Sequence, residues 1–277
     1  MNTLKVIIIF LLLVALKIEW MGSAYAQDTT EKVVKIAAID WCPQICPQDP
    51  SQNGYVLDIV KRVFEGSAYT LQIDYFPWSR AIQYVRQGKY QVLLSPAKKE
   101  APDLTYPQFP IGTQQMCFIS LKDFDWYYQG LESLAGVRVL IATDTSVEEL
   151  NSFVLSHPSQ VAFIPYSDTF ITRAIEMLEK DRVETFMFTL HSSQYVAKQD
   201  GKYAKLKVVG CVSEAPIYFA LSSSDEVIEE ALELQTFFDS RIKQLILEGD
   251  VDDIMQAYEL RITSNNLLKF VDPIPTQ

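Results

Sequence analysis

The stretch Gly88–Gly112, GKYQVLLSPAKKEAPDLTYPQFPIG, decides how the chain is read. It opens with YQVLLS (Tyr90–Ser95), a short apolar run of strand type. It closes with Pro96, Pro102, Pro107 and Pro110, and a span so rich in proline does not continue as a helix. The stretch therefore reads as the last strand of one α/β body followed by an irregular crossing into another.

The residues before it support that reading. VVKIAAID (Val33–Asp40) is an apolar strand. YVLDIVKRVFEG (Tyr55–Gly66) carries apolar residues at 56, 57, 59, 60, 63 and 64, a helical stripe closed by glycine. YTLQIDYF alternates as a strand, and PWSRAIQYVRQG is a helix opening at Pro77 and closing at Gly88. Strand, helix, strand, helix, strand is the pattern of a doubly wound sheet. After the crossing, QQMCFISLK is a strand and DFDWYYQGLESLAG a connector. A second series then follows: VRVLIA, a helix from Thr145 to about Ser156, VAFIP, a helix Asp168–Lys180, VETFMF, a helix His191–Lys198 and KLKVVG. A second break is expected at CVSEAP (Cys211–Pro216), then the strand IYFAL and two terminal helices. Two α/β bodies joined by two crossings make a bilobal molecule. Ligands bind at the carboxyl ends of strands in such sheets, and two facing sheets form a cleft that closes by a hinge.

The N-terminus reads as a secretory signal peptide over residues 1–26. Lys5 precedes an unbroken apolar run of 11 residues, Val6–Leu16, and SAYA leads to cleavage between Ala26 and Gln27. The run is too short to span a bilayer alone; Lys17 and Glu19 leave retention as an anchor as the alternative. About 250 residues would remain, enough for one large or two modest domains. A net charge of -11 disfavours broad attraction to nucleic acid.

Cys42, Cys46, Cys117 and Cys211 are an even set in an exported chain, which favours disulfides. Four cysteines allow three pairings. Cys42 and Cys46 lie close enough in sequence to bridge locally; Cys117 and Cys211 would then close a long loop, contributing roughly 4–5 kcal/mol in the loop-entropy picture. Only His157 and His191 are present, neither beside a cysteine, so no metal is expected. No G-x-S-x-G, H-E-x-x-H or P-loop appears, and no catalytic residue or cofactor is assigned.

The chain resembles extracellular solute-binding protein family 3, the periplasmic receptors of polar amino-acid uptake. The resemblance is carried in order by GYVLDIVKRVF, FPWSRAIQYVRQGKYQVLLS, LTYPQFPIG, SLAGVRVLIATDTS, RVETFMF, PIYFALSSSDEVIEEA and ILEGDVDDIMQAY, nearly the whole exported chain. It implies a type II periplasmic-binding-protein fold, with lobe 1 at about 30–112 plus 215–265 and lobe 2 at about 113–214. It also implies a monomer that closes on a small polar ligand, an amino acid or related organic anion, for uptake through an inner-membrane ABC permease. The alternatives are a receptor for a membrane sensor, or a cleft enzyme such as a dehydratase using Asp40, Asp58 or Glu100.

Two departures mark an atypical branch. The T-x-x-R segment whose arginine pairs with a ligand carboxylate is replaced by SPAKKEAPD, where Lys98 or Lys99 would stand in as a point charge. The aspartate that receives the ligand amine falls on Thr189. The expected ligand residues are Trp41, Tyr55, Trp78, Arg80, Ser95, Lys98, Thr145, Ser146 and Thr189. Trp41 and Ser95 stand where the resemblance implies aromatic and hydroxyl contacts. Tyr55, Trp78 and Arg80 open helices, where anions are favoured; Arg80 paired with Asp74 or Asp58 is the alternative. Thr145 and Ser146 precede Glu148 and Glu149 in what is equally a capping box, and His191 is equally a surface helix start. Titration of the unreduced exported protein with a thiol reagent should find no free thiol; two or more would overturn the two-disulfide assignment.

Overall fold

The computed structural model describes residues 32–49, 51–143, 150–260 and 263–271. Among them no helix is long and apolar enough to cross a membrane. Apart from Lys32, the described residues belong to one unit, Val33–Gln277.

The first lobe is built on a four-stranded sheet. Its strands are β1 (Lys32–Ala38), β2 (Tyr69–Tyr75), β3 (Val92–Leu94) and β9 (Phe219–Leu221), in the order β2-β1-β3-β9. β1 and β3 run parallel, with Ile36 opposite Val92, and β9 returns antiparallel to β3. Helix α1 (Tyr55–Phe64) buries the stripe read from sequence, with Tyr55 added to it. Helix α2 (Trp78–Arg86) buries only Ala81 and Val85.

The second lobe is built on β4 (Gly112–Leu121), β5 (Val139–Ala142), β6 (Val161–Ile164), β7 (Thr185–Thr189) and β8 (Leu206–Ile217), in the order β6-β5-β7-β4-β8. β5 is parallel to β6 and β7, whereas β4 is antiparallel to β7 and β8. Helices α3 (Asn151–Ser156), α4 (Phe170–Glu179) and α5 (Leu190–Gln199) connect these strands. Residues 144–149, where that first helix was expected to begin, lie outside the described residues.

After β8 and β9 bring the chain back to the first lobe, it continues through α6 (Ile228–Glu248), α7 (Asp250–Ala257) and the unanticipated α8 (Ser264–Leu268). Phe238 of α6 stacks on Phe219 of β9 at 4.4 Å, and Phe219 lies 5.7 Å from Phe64 of α1. One aromatic column thus ties the C-terminal helix to both the sheet and the first helix, and such contacts contribute beyond their buried area.

The expected break at Cys211–Pro216 is corrected. β8 runs without interruption to Ile217, because β4 pairs with it from Gly112↔Ile217 through Cys117↔Cys211 to Leu121↔Leu206. Pro216 is tolerated because β8 is the edge strand of its sheet, so the missing N–H deprives no further neighbour. The two crossings are therefore two adjacent strands of one ladder. Cys117 and Cys211 face each other in it and form a disulfide, and Cys42 and Cys46 form the other.

Gly112 opens this ladder at a point of close approach. A Cβ there would lie 2.9 Å from the Tyr55 hydroxyl and 3.2 Å from Ile217 Cδ1. Tyr55 is fully buried, and its hydroxyl has no hydrogen-bond partner. Gly112→Ala should cost about 1–3 kcal/mol through overpacking. Tyr55→Phe, which removes an unsatisfied hydroxyl, should be neutral or stabilising. Urea unfolding of both variants checks this; an unchanged midpoint for Gly112→Ala would show that Tyr55 yields freely.

Candidate functional site

The carboxyl ends of strands from both sheets converge on one small, partly open cleft. Ile39 and Trp41 follow β1, Ser95 follows β3, Tyr166 follows β6, and Phe188 and Thr189 end β7. Gln114 and Met116 enter from β4, on the same face because strand side chains alternate. Trp78 at the start of α2 and Glu100 from the crossing loop complete the lining.

Hydrogen bonds join the lobes around this cleft. Trp41 donates its indole N–H to Thr189 Oγ1 at 3.2 Å, and Tyr166 donates its hydroxyl to the Asp40 carbonyl at 2.7 Å. Farther out, Ser192 donates to Gln44 Oε1 at 3.2 Å, and Tyr195 to Asp49 Oδ2 at 3.2 Å. Behind the wall, the Tyr166 ring stacks on Phe188 with centroids 5.3 Å apart.

The polar groups of the lining are held at a cost. Ser95 has φ 69°, in the left-handed region that non-glycine residues seldom occupy. It is 2% exposed, and its hydroxyl has no partner. Its backbone is fixed by donation of the N–H to the Tyr218 carbonyl at 2.9 Å. Glu100 Oε2 accepts from the Ala97 N–H at 2.8 Å and from Gln114 Nε2 at 3.4 Å. Despite those two bonds, burial pushes its carboxyl above the usual carboxylate range.

Of the residues expected from sequence, the structure brings Trp41, Trp78, Ser95 and Thr189 together in the cleft. Tyr55 lies in the core instead, as part of the buried stripe of α1. Arg80 is exposed on α2, outside the lining. Lys98 is also exposed, its Nζ 5.1 Å from the Tyr218 ring. Thr145 and Ser146 lie outside the described residues. His191 lines a separate groove with Tyr195 and Tyr258, and burial lowers its pKa. Tyr166 and Phe188 also line the cleft and are missing from the residues expected, although the rule that ligands meet strand ends points to both. Glu100 was weighed only as a catalytic acid.

No protein-family profile matches the chain, and no curated protein does. Solved structures do. A histidine kinase sensor domain described as similar to periplasmic binding proteins is 16% identical with a TM-score of 0.68, covering 82% of this chain and 96% of that one. A structure concerning glutathione import in Streptococcus mutans via GshT and the cystine ABC importer TcyBC is 21% identical with a TM-score of 0.68, covering 82% and 95%. The ancestral amino-acid-binding protein AncCDT-1, described as a precursor of cyclohexadienyl dehydratase, is 16% identical with a TM-score of 0.63, covering 82% and 95%. At these identities the likeness establishes the architecture. The chain has the bilobal, type II periplasmic-binding-protein fold, two α/β lobes joined by two hinge strands.

Glu100 offers a direct test of the cleft's electrostatics. An acid with a raised folded-state pKa binds more protons in the folded than in the unfolded chain. Stability is therefore lost as pH rises from the unfolded to the folded pKa, and the loss is complete above both. Glu100→Gln should melt about 2 °C or more above the parent at pH 7, and the gap should close at pH 3, where both side chains are neutral. A variant that melts lower at pH 7 would show that the Glu100 carboxylate is stabilising as it stands.

Proposed function

We propose that the protein is a periplasmic solute-binding protein that closes its two lobes on a small polar ligand and delivers it to an ABC-type importer. The observation that carries this reading is the cleft itself. Strand ends from both sheets meet there, aromatic and hydroxyl groups line it, and the Trp41–Thr189 bond spans it. Such a site loses its walls when the lobes part, so binding and closure are coupled.

In this reading lobe 1 comprises residues 30–112 plus 215–265, lobe 2 comprises 113–214, and the β4–β8 ladder is the hinge. Trp41, Trp78, Ser95 and Thr189 contact the ligand. The first 26 residues direct export and are removed, and the remainder works as a monomer. The likeness to a structure that concerns glutathione import via a cystine ABC importer supports the transport role. A second reading, a ligand receptor for a membrane sensor, is favoured by the equally strong likeness to a histidine kinase sensor domain.

Purified protein should be screened by thermal melting against amino acids, organic acids, amines and small peptides, with small-angle scattering of each hit. A ligand bound to the folded state raises the melting temperature by mass action, by several degrees at saturating concentrations. The ligand should also shrink the radius of gyration and be recovered chemically unchanged. Consumption of the ligand would move the protein to the dehydratase-like alternative. Silence across every class would overturn the solute-binding reading.

A further inference from the structure

We propose that the cleft selects an organic cation, an amine with no compensating carboxylate, seated with its charge against Glu100 between the aromatic walls. This rests on the solute-binding reading and names its ligand class.

The argument begins with charge. Among the described residues, Glu100 is the one charged side chain in the lining, and no lysine or arginine lines the cleft. The nearby cations lie outside the lining: Arg80 is exposed on α2, Lys98 sits with its ammonium over the Tyr218 ring, and Lys99 is exposed on the crossing loop. A ligand carboxylate would thus enter a desolvated site holding a like charge and no cation. A ligand ammonium would instead supply the counter-charge that Glu100, half-buried and held only by neutral donors, lacks.

The remaining lining agrees. Trp41, Trp78 and Tyr166 provide electron-rich rings, and cations are attracted to the faces of such rings, most strongly to tryptophan. The Ser95 hydroxyl is buried, unpartnered and at the cleft wall, where it can accept from an ammonium N–H. The loop carrying Glu100 is tied to β4 through Gln114, so the carboxylate is positioned before any ligand arrives. A structural acid would leave the Ser95 hydroxyl and the aromatic clustering without an explanation; a cation accounts for both.

The test is tryptophan-fluorescence titration, backed by calorimetry, on the signal-free protein. The cationic probes are phenethylamine, putrescine and choline. Phenethyl alcohol and phenylacetate are the matched neutral and anionic probes, and L-glutamine and L-arginine are zwitterionic. At least one amine should bind tenfold or more tightly than the neutral and anionic probes. Glu100→Gln, confirmed folded by its melting curve, should lose at least tenfold of that affinity. Trp78→Leu, at a half-buried ring, should lose several-fold and provides a second variant independent of the loop. Binding of an anion or zwitterion with no response to the amines would overturn the cation assignment while leaving solute binding intact. So would an amine affinity unchanged in Glu100→Gln. If no probe binds, the cation assignment falls, and the wider melting screen decides separately whether the solute-binding reading falls with it.

Discussion

The arrangement of this molecule depends on one antiparallel ladder. β4 and β8 lie side by side from Gly112↔Ile217 to Leu121↔Leu206, and they are the only described strands that lead from one sheet to the other. Two separate tethers would let the lobes twist and splay independently. Two paired strands, cross-linked by Cys117–Cys211, behave as one ribbon. Register shifts at Gln115/Cys117 and at Phe118/Ile119 disturb the ribbon on either side of the disulfide. Bulges of this kind concentrate twist and bending, so movement between the lobes is channelled into a narrow set of directions.

Within that frame, the cleft carries unsatisfied groups of its own. Ser95 holds an uncommon backbone conformation with its hydroxyl unmatched, and Glu100 keeps a carboxyl where water is scarce. Neither helps the fold. Strain and unpaired polarity of this sort gather at binding sites, because the groups that a ligand will use are left unused until it comes. The stability that tolerates them comes from elsewhere, notably the buried face of α1 and the aromatic column of Phe64, Phe219 and Phe238.

Much of the architecture was legible in the sequence because hydrophobic periodicity is a local signal. The stripes of α1 and α4 and the apolar runs of β1, β5 and β7 stand where their patterns place them. Trp41, Ser95 and Thr189 were expected through the family resemblance, and the structure places all three in the cleft lining. What failed to show was set by geometry beyond the local pattern. Pro216 reads as a break unless β8 is known to be an edge strand. Residues 78 and 80 stand about 200° apart around a helix, so Trp78 facing the cleft turns Arg80 away from it. Tyr55 joins Ile59 and Val63 at helical spacing and goes to the core with them. Which of Lys98, Lys99 and Glu100 turns inward is fixed by the path of an irregular loop, and periodicity carries no record of that.

The order of elements along the chain also bears on how the protein is made. Every strand of the five-stranded sheet lies between Gly112 and Ile217, so that sheet is complete in one continuous run of synthesis, and its disulfide can close at once. The four-stranded sheet has no such independence. β3 is its outer strand until Phe219–Leu221 arrives from the far side of the second lobe, and all three residues of β3 are apolar and buried in the finished protein. A newly made chain therefore carries an open, apolar strand edge for as long as the second lobe takes to emerge. Unpaired edges are where chains stick to one another. The first lobe, begun early and finished last, is thus the half that stays open longest while the chain is being made.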